Sequence, residues 1–287
     1  MYKSKRFEYT YSDYDEDDKN AETMIEDIMN DPEFSGLEEI VIGDWGGAWE
    51  ESAQPLIDGM IENKEKFSHI KSLFIGDMDF ESCEVSWIMQ ADYSKLWEAM
   101  PQLEKIVIKG SADLELGNIE HDNLQHFEII CGGLPKDNIA SVKNAKLPSL
   151  QTLLLYIGVD DYGFDGDIST IKDLLANSDF PKLTYLGLTD SEIQDEITEA
   201  VFDSKYISQI TTLDLSMGSL TDKGGQMLLE KLPDYPNIKN LNLEYHYLSD
   251  KMMHKLEDLA DVEVNVDDQQ EADDYDGEVY YYPMLTE

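Results

Sequence analysis

Aspartates recur at one position in the apolar pattern of this chain. Asp44, Asp77 and Asp190 each follow the last residue of a short apolar segment by two positions, and Asp160 lies in a corresponding loop. Clustered carboxylates without arginine partners can hold a divalent cation or attract a basic protein. They can also accept hydrogen bonds from loop and helix N-terminal amides, which is a purely structural role. The sequence leaves these three roles open.

Two tryptophans, Trp45 and Trp49, flank a Gly-Gly pair in the loop after the first apolar segment. Exposed indoles there would be candidates for partner contact, because Trp is frequent among the residues that dominate binding energy. Buried indoles would instead cover the core where the loop turns back. Trp87 and Trp97 fall in a segment with helical spacing, and we expect both to lie in the core.

Signatures of catalysis are absent from the sequence. There is no Walker loop, no HExxH motif and no nucleophile elbow, and the nearest acid–base pair is His246 with Asp250. A lone histidine on a repeat is more often a hydrogen-bonded structural residue. We therefore predict that the protein is not an enzyme and needs no cofactor.

One apolar pattern recurs nine times, at spacings of 21–33 residues. Each copy is an apolar residue followed by apolar residues three and five positions later, and the nine copies begin at Leu37, Ile70, Leu103, Leu124, Leu150, Leu183, Ile210, Ile238 and Leu259. The last two apolar positions alternate with outward ones, which is typical of a short strand. The intervening segments have helical spacing. Each unit must therefore stack on its neighbours to bury its apolar side.

The strand face away from the core carries a predicted row of side chains, apolar in its first half and polar or acidic in its second. An apolar stretch on such a face is a plausible protein-binding surface. Coverage of that stretch by the N-terminal segment or a long loop is an equal alternative. The residues that we assign to partner binding are Phe74, Val107, Leu154, Tyr156, Asp214 and Glu244, together with Trp45 and Trp49.

The repeat resembles the leucine-rich repeat, and its longer spacings resemble the ribonuclease-inhibitor-like subclass. The Asn or Cys usual three positions after the last strand leucine is replaced, for example by Trp45, Met78 and His246. This resemblance implies an α/β solenoid of about eight repeats and a terminal half-repeat. Its parallel strands would line a concave face and its helices a convex one.

A closer resemblance rests on local motifs that occur together in order. They are IGDWGGAWEE (42–51), IGDMDFESCEVSWI (75–88), GGLP (132–135), GVDDYGFDGD (158–167), DSEIQDEI (190–197), HYLSD (246–250) and YDGEV (275–279). The chain is similar in these motifs to a family of bacterial cytosolic leucine-rich-repeat proteins. The resemblance implies the fold and the compartment, but no activity and no catalytic residue.

The chain ends differ from the middle. We predict an acidic N-terminal cap over residues 1–34, with a strand at Phe7–Tyr11 and a helix near Glu22–Met29, and a solenoid over residues 35–266. Residues 267–287 are acidic and contain the run Tyr280–Tyr282. They could form a solvated tail, a closing cap with the tyrosines packed back, or a partner-binding segment.

The net charge of the chain argues against some classes of function. The chain has 62 Asp and Glu against 21 Lys and Arg, a formal charge of −41, and its only arginine is Arg6. Such a surface repels phosphate backbones and anionic lipids, so we predict neither a nucleic-acid nor a membrane role. The absence of a signal peptide and of any long apolar run, together with only two cysteines, indicates the cytoplasm.

These observations predict a non-catalytic scaffold that recognises a basic protein partner through the concave strand face and an acidic rim. The alternative, from a different class, is a carboxylate-rich divalent-cation site, with or without hydrolytic activity. Its candidate ligands are Asp44, Asp77, Asp160 and Asp190.

Overall fold

The strands form one long parallel sheet in chain order. The computed structural model describes residues 2–286, and within them ten strands pair successively from first to last. Their bounds are β1 (Ser4–Phe7), β2 (Glu39–Ile42), β3 (Ser72–Ile75), β4 (Lys105–Lys109), β5 (His126–Ile130), β6 (Thr152–Gly158), β7 (Tyr185–Ser191), β8 (Thr212–Asp214), β9 (Asn240–Asn242) and β10 (Glu263–Asn265). An α/β chain with this strand order fits a repeat solenoid.

Helices occupy the connections between strands. The nine α-helices within residues 2–286 are α1 (Tyr11–Asp17), α2 (Ala21–Asn30), α3 (Gln54–Glu62), α4 (Leu96–Ala99), α5 (Lys136–Lys143), α6 (Ile168–Asn177), α7 (Gln194–Phe202), α8 (Asp222–Lys231) and α9 (Asp250–Glu257). Successive helices from α5 to α9 contact one another, and so do α2 and α3. None of the helices described is long and apolar enough to cross a membrane.

The apolar pattern fixes where the strands begin. In each of the first eight copies, a strand starts two residues after the first apolar residue, as β2 does after Leu37 and β9 after Ile238. The apolar residues of these copies are buried in one continuous core. In the ninth copy, Leu259, Val262 and Val264 are only half-buried, because β10 is the last strand of the sheet.

The N-terminal strand lies earlier than the sequence pattern suggests. We predicted a strand at Phe7–Tyr11, but β1 ends at Phe7, so this prediction was wrong. Thr10 ends the extended segment because its side chain accepts a hydrogen bond from the Asp13 amide and starts α1 as an N-cap. The predicted helix near Glu22–Met29 is confirmed as α2.

The C-terminal residues form a hairpin followed by an extended segment. Strands β11 (Asp273–Tyr275) and β12 (Glu278–Tyr280) pair antiparallel around Asp276 and Gly277. These two turn residues have φ values of 55° and 87°, which a two-residue type I′ turn requires. Residues 281–286, which we call the C-terminal strap, then run back along the molecule.

Candidate protein-binding surface

The sheet face directed away from the core, here called the open face, carries a continuous row of side chains. Each member of the row is paired in register with the next strand's member, so neighbours are about 4.8 Å apart. The row consists of Val41, Phe74, Val107, Glu128, Leu154, Gly187, Asp214 and Asn242. Its composition changes from apolar to polar along the sheet, as the sequence pattern indicates.

Three apolar side chains of the row are accessible. Val41, Phe74 and Leu154 are half-buried. Leu154 extends over Gly187, where a Cβ atom would lie 2.2 Å from the leucine Cδ1. Val107, on the strand next to Phe74, is only 2% exposed. The prediction that Val107 contacts a partner was therefore wrong.

In the polar half of the row, Asp214 forms hydrogen bonds with groups of the protein itself. It is 4% exposed and accepts hydrogen bonds from the Tyr185 hydroxyl, from the Ser216 amide (3.1 Å) and hydroxyl (2.6 Å), and from Asn242 Nδ2 (3.1 Å). A partner cannot reach this carboxylate, so the prediction of direct contact was wrong for Asp214. Glu244, at the next outward position, is exposed.

Tyr156 lies at the centre of the acidic part of the open face. It pairs with Thr189 of β7 and is half-buried. Burial raises the pKa of the Tyr156 hydroxyl, and so do the carboxylates of Glu128, Asp214, Asp190 and Glu244. Glu128, Asp214 and Glu244 therefore surround this ring with negative charge, which favours a cationic group on a ligand.

Trp45 and Trp49, the two tryptophans predicted to contact a partner, differ in how far they are buried. Trp45 is fully buried and its indole N–H donates to the Glu51 carbonyl, so it cannot anchor a partner. The half-buried Trp49 packs on Tyr11 (ring centroids 6.2 Å apart) and Tyr14 (5.6 Å) of α1. The predicted contact by Trp45 was therefore wrong, while Trp49 covers the loop beneath α1.

Trp87 and Trp97, both predicted to lie in the core, differ in their exposure to solvent. Trp97 is buried, as predicted, and donates its indole N–H to the Leu116 carbonyl at 2.8 Å. Trp87 is 60% exposed, so its assignment to the core was wrong. It ends a three-residue 3-10 helix, Val85–Trp87, in which Val85 is the buried residue. Sequence reasoning also missed Phe80, which is 76% exposed in the same connection.

The rim aspartates bind the protein's own groups. Asp44 accepts the amides of Gly46 (2.8 Å) and Ala48 (3.3 Å), and Asp77 pairs with Arg6. Asp160 is exposed at the start of a short 3-10 helix. Over residues 2–286, no group of three or more His, Cys, Asp or Glu side chains is placed to hold a metal ion. The cation-site alternative thus gains no support from these contacts.

The C-terminal strap is clamped by two tyrosines that follow β9. The carbonyl of Tyr282 accepts hydrogen bonds from the hydroxyls of Tyr245 (3.1 Å) and Tyr247 (2.8 Å), and its amide donates to the Tyr247 hydroxyl at 2.9 Å. Pro283, the next residue, is buried. The strap is therefore a packed part of the fold rather than a solvated tail.

Farther along, the strap reaches the loop after β8 and the end of β7. The Met284 amide donates to the Met217 carbonyl at 2.8 Å, and the Leu285 amide donates to Asp190 Oδ1 at 2.8 Å. The strap thus crosses the strand ends in the direction opposite to chain order. The apolar pattern predicts Asp190 as a rim residue, but no local signal in the sequence identifies the backbone amide that donates to it.

Three comparisons with known proteins bear on this architecture. No protein-family model matches the chain, and no curated protein matches it. The crystal structure of a Bacteroides fragilis protein, a target of the Northeast Structural Genomics Consortium, superimposes with a TM-score of 0.90 at 37% sequence identity. The match covers 99% of this chain and 78% of the other. The chain therefore belongs to the same family as this Bacteroides fragilis protein.

Proposed function

We propose that the protein is a non-catalytic recognition scaffold that binds a basic protein partner through the open face and the adjacent acidic rim. The observation that carries this proposal is the surface around Tyr156, where accessible apolar side chains adjoin a group of carboxylates. Phe74 and Leu154 supply the apolar contacts, and Glu128 and Glu244 supply negative charge. This combination suits a partner whose apolar contact residues are flanked by lysine or arginine.

The repeated strand–helix unit supports this proposal. We take it to be a leucine-rich repeat of the ribonuclease-inhibitor-like kind, with eight full copies and a terminal half-copy, which would put the open face on the concave side. Stacked repeats of this kind present long continuous surfaces for macromolecules rather than closed pockets. By this argument the partner is a folded protein or a long segment.

The compartment proposed for this interaction is the cytoplasm. Cys83 and Cys131 are both buried and unpaired. Burial raises the pKa of Cys83 to about 11 and that of Cys131 to about 12, so both thiols are protonated and unreactive at neutral pH. Two inert free thiols are compatible with a reducing environment.

Charge would act on the association rate of this complex. A net charge of −41 attracts a basic partner over distances that depend on the Debye length, which is about 8 Å at physiological ionic strength. Association should therefore slow as salt is added, while dissociation depends more on the apolar contacts. This predicts a salt-sensitive on-rate and a less sensitive off-rate.

Affinity capture from host lysate with charge-matched variants tests the proposal. Leu154→Lys places a positive charge on the open face, whereas Gln226→Lys makes a matched change at an exposed position of α8 in the helical layer. We expect one basic protein to be captured by the wild type and by Gln226→Lys and lost from Leu154→Lys. Equal capture by the two variants would contradict the use of the open face.

A further inference from the structure

The exposed apolar side chains of the molecule are concentrated near its C-terminus. Nine large apolar or aromatic residues are exposed within residues 2–286, and six of them fall between positions 275 and 284. We call these six the C-terminal aromatic surface; they are Tyr275, Val279, Tyr280, Tyr281, Tyr282 and Met284. The exposed fractions of these six side chains range from 40% to 75%, far above those of the core. Exposed apolar side chains concentrated in one short segment are typical of an interaction site.

This surface is held in a fixed shape. The rings of Tyr280 and Tyr282 stack with centroids 6.4 Å apart, and Tyr281 packs edge-on against Tyr247 at 5.0 Å. The hairpin and the hydrogen bonds of the strap fix the backbone on both sides. Rings that are already ordered lose little conformational entropy on binding, which favours affinity.

Carboxylates alternate with tyrosines on one face of the hairpin. In the β11–β12 pair, Asp273 lies opposite Tyr280, and Tyr275 lies opposite Glu278. Because side chains two residues apart share a face, these four project from the same side of the hairpin. The Tyr280 hydroxyl donates to Glu278 Oε2 at 2.7 Å, so a ring and a carboxylate are in direct contact.

The negative charge around this hairpin face indicates which kind of ligand would bind there. Residues 267–287 contain eight Asp and Glu and no Lys, Arg or His. A second copy of this chain would bring the same negative charge to the interface, so self-association is disfavoured. An arginine side chain fits both features, because its planar guanidinium stacks on aromatic rings and donates in a fork to carboxylates.

We propose that the hairpin face formed by Asp273, Tyr275, Glu278 and Tyr280 binds an arginine-bearing basic segment of a protein partner. The guanidinium groups stack on the two rings and donate to the two carboxylates. This site follows the last strand of the sheet along the chain and shares no residue with the row on the open face. It rests on the proposed function only in that the partner is basic.

A defined peptide tests the site directly. A fluorescein-labelled peptide that consists of eight Arg-Gly dipeptide repeats is titrated with the full-length protein at physiological ionic strength. Fluorescence anisotropy is the readout. Tyr275→Ser/Tyr280→Ser removes both rings without changing charge, and we expect about tenfold weaker binding from the loss of two cation–π contacts. Tyr275→Phe/Tyr280→Phe keeps the rings and should bind within about twofold of the wild type.

Charge-matched variants separate the site from general attraction. Asp273→Asn/Glu278→Gln and Asp15→Asn/Glu16→Gln remove the same charge, but the second pair lies on α1 at the opposite end of the sheet. Because screening confines surface interactions to about 8 Å, the hairpin pair should weaken binding several-fold more than the α1 pair. The corresponding lysine peptide should bind more weakly than the arginine peptide.

Three outcomes would overturn the proposal. The first is unchanged peptide binding by the serine variant, and the second is equal loss in the two charge-matched variants. The third is dimerisation, seen by light scattering, that the serine variant abolishes, because it would assign the surface to a second copy. The Leu154→Lys variant should bind the peptide normally. Loss of partner capture in that variant therefore tests the open face, while loss of the peptide in the serine variant tests the hairpin.

Discussion

The carboxylate of Asp190 accepts a hydrogen bond from the backbone amide of Leu285, 2.8 Å away and 95 residues further along the chain. Asp190 is fully buried at the end of β7, so this contact joins the centre of the sheet to the C-terminal strap. Burial raises the pKa of Asp190 to about 8, although the amides of Leu285 and Met284 lower it. Folding is thus linked to proton uptake at Asp190.

The sign of this linkage predicts a pH dependence. Asp190 binds a proton more tightly in the folded protein, so its stabilising contribution is complete below about pH 4 and is lost as the pH rises through about 8. The ionisable groups that it influences, Cys131, Tyr156 and Tyr245, carry no positive charge that would oppose this effect.

Urea unfolding of the wild type and of Asp190→Asn at pH 5 to 9 measures this linkage. The free energy of unfolding of the wild type should fall relative to the variant by up to about 1.4 kcal/mol per pH unit. The difference should level off above about pH 8. A difference independent of pH would show that Asp190 is ionised in the folded protein throughout this range.

The Tyr247 hydroxyl is predicted to stabilise the strap. It donates to the Tyr282 carbonyl and accepts from the Tyr282 amide, so Tyr247→Phe removes two hydrogen bonds. We expect a loss of about 1–2 kcal/mol in the free energy of unfolding and faster hydrogen exchange at the Tyr282 amide. Tyr275→Phe, at a ring that is 75% exposed, is the control and should change stability by less than about 0.5 kcal/mol.

Truncation of Trp45 should cost far more stability than truncation of Trp87. Trp45 is fully buried, so Trp45→Ala should reduce the free energy of unfolding by about 3–5 kcal/mol. Trp87 is 60% exposed, and Trp87→Ala should cost less than about 1 kcal/mol. Chemical denaturation followed by circular dichroism tests both. Similar losses for the two variants would contradict their placement.

Leu154 and Gly187 form a coupled pair on the open face. An alanine Cβ at position 187 would meet Leu154 Cδ1 at 2.2 Å, so Gly187→Ala forces the leucine to move and should destabilise the protein by about 1–2 kcal/mol. In a Leu154→Ala background the same change should be neutral or stabilising. A double-mutant cycle on the free energy of unfolding measures the coupling. Additive effects would show that the two residues do not interact.

The repeated part of the fold was predictable from sequence for a physical reason. Every stacked unit must bury the same apolar positions, so the pattern that begins at Leu37 recurs and locates each later strand. Segments that occur once have no such signal. Strand β1 and the C-terminal strap depend on pairing with β2 and with distant loops, and their bounds could not be deduced from local spacing.

The predicted contact residues were less accurate because exposure depends on neighbouring strands. Alternation correctly placed Val107 and Asp214 on the open face, but lateral packing covers the first and a hydrogen-bond network encloses the second. The assignment of Trp87 to the core was wrong for another reason. Helical spacing was inferred for a connection that contains only one 3-10 turn at that point, and its last side chain faces solvent.

Photo-crosslinking from the open face tests the central proposal most directly. Benzoylphenylalanine replaces Phe74, whose ring it resembles and which is half-buried on that face, or Gln226 in the helical layer as the control. After irradiation in host lysate, we predict one basic protein crosslinked from position 74 and not from position 226, with less adduct at high salt. Adducts of the same protein from both positions, or from position 226 alone, would contradict recognition through the open face.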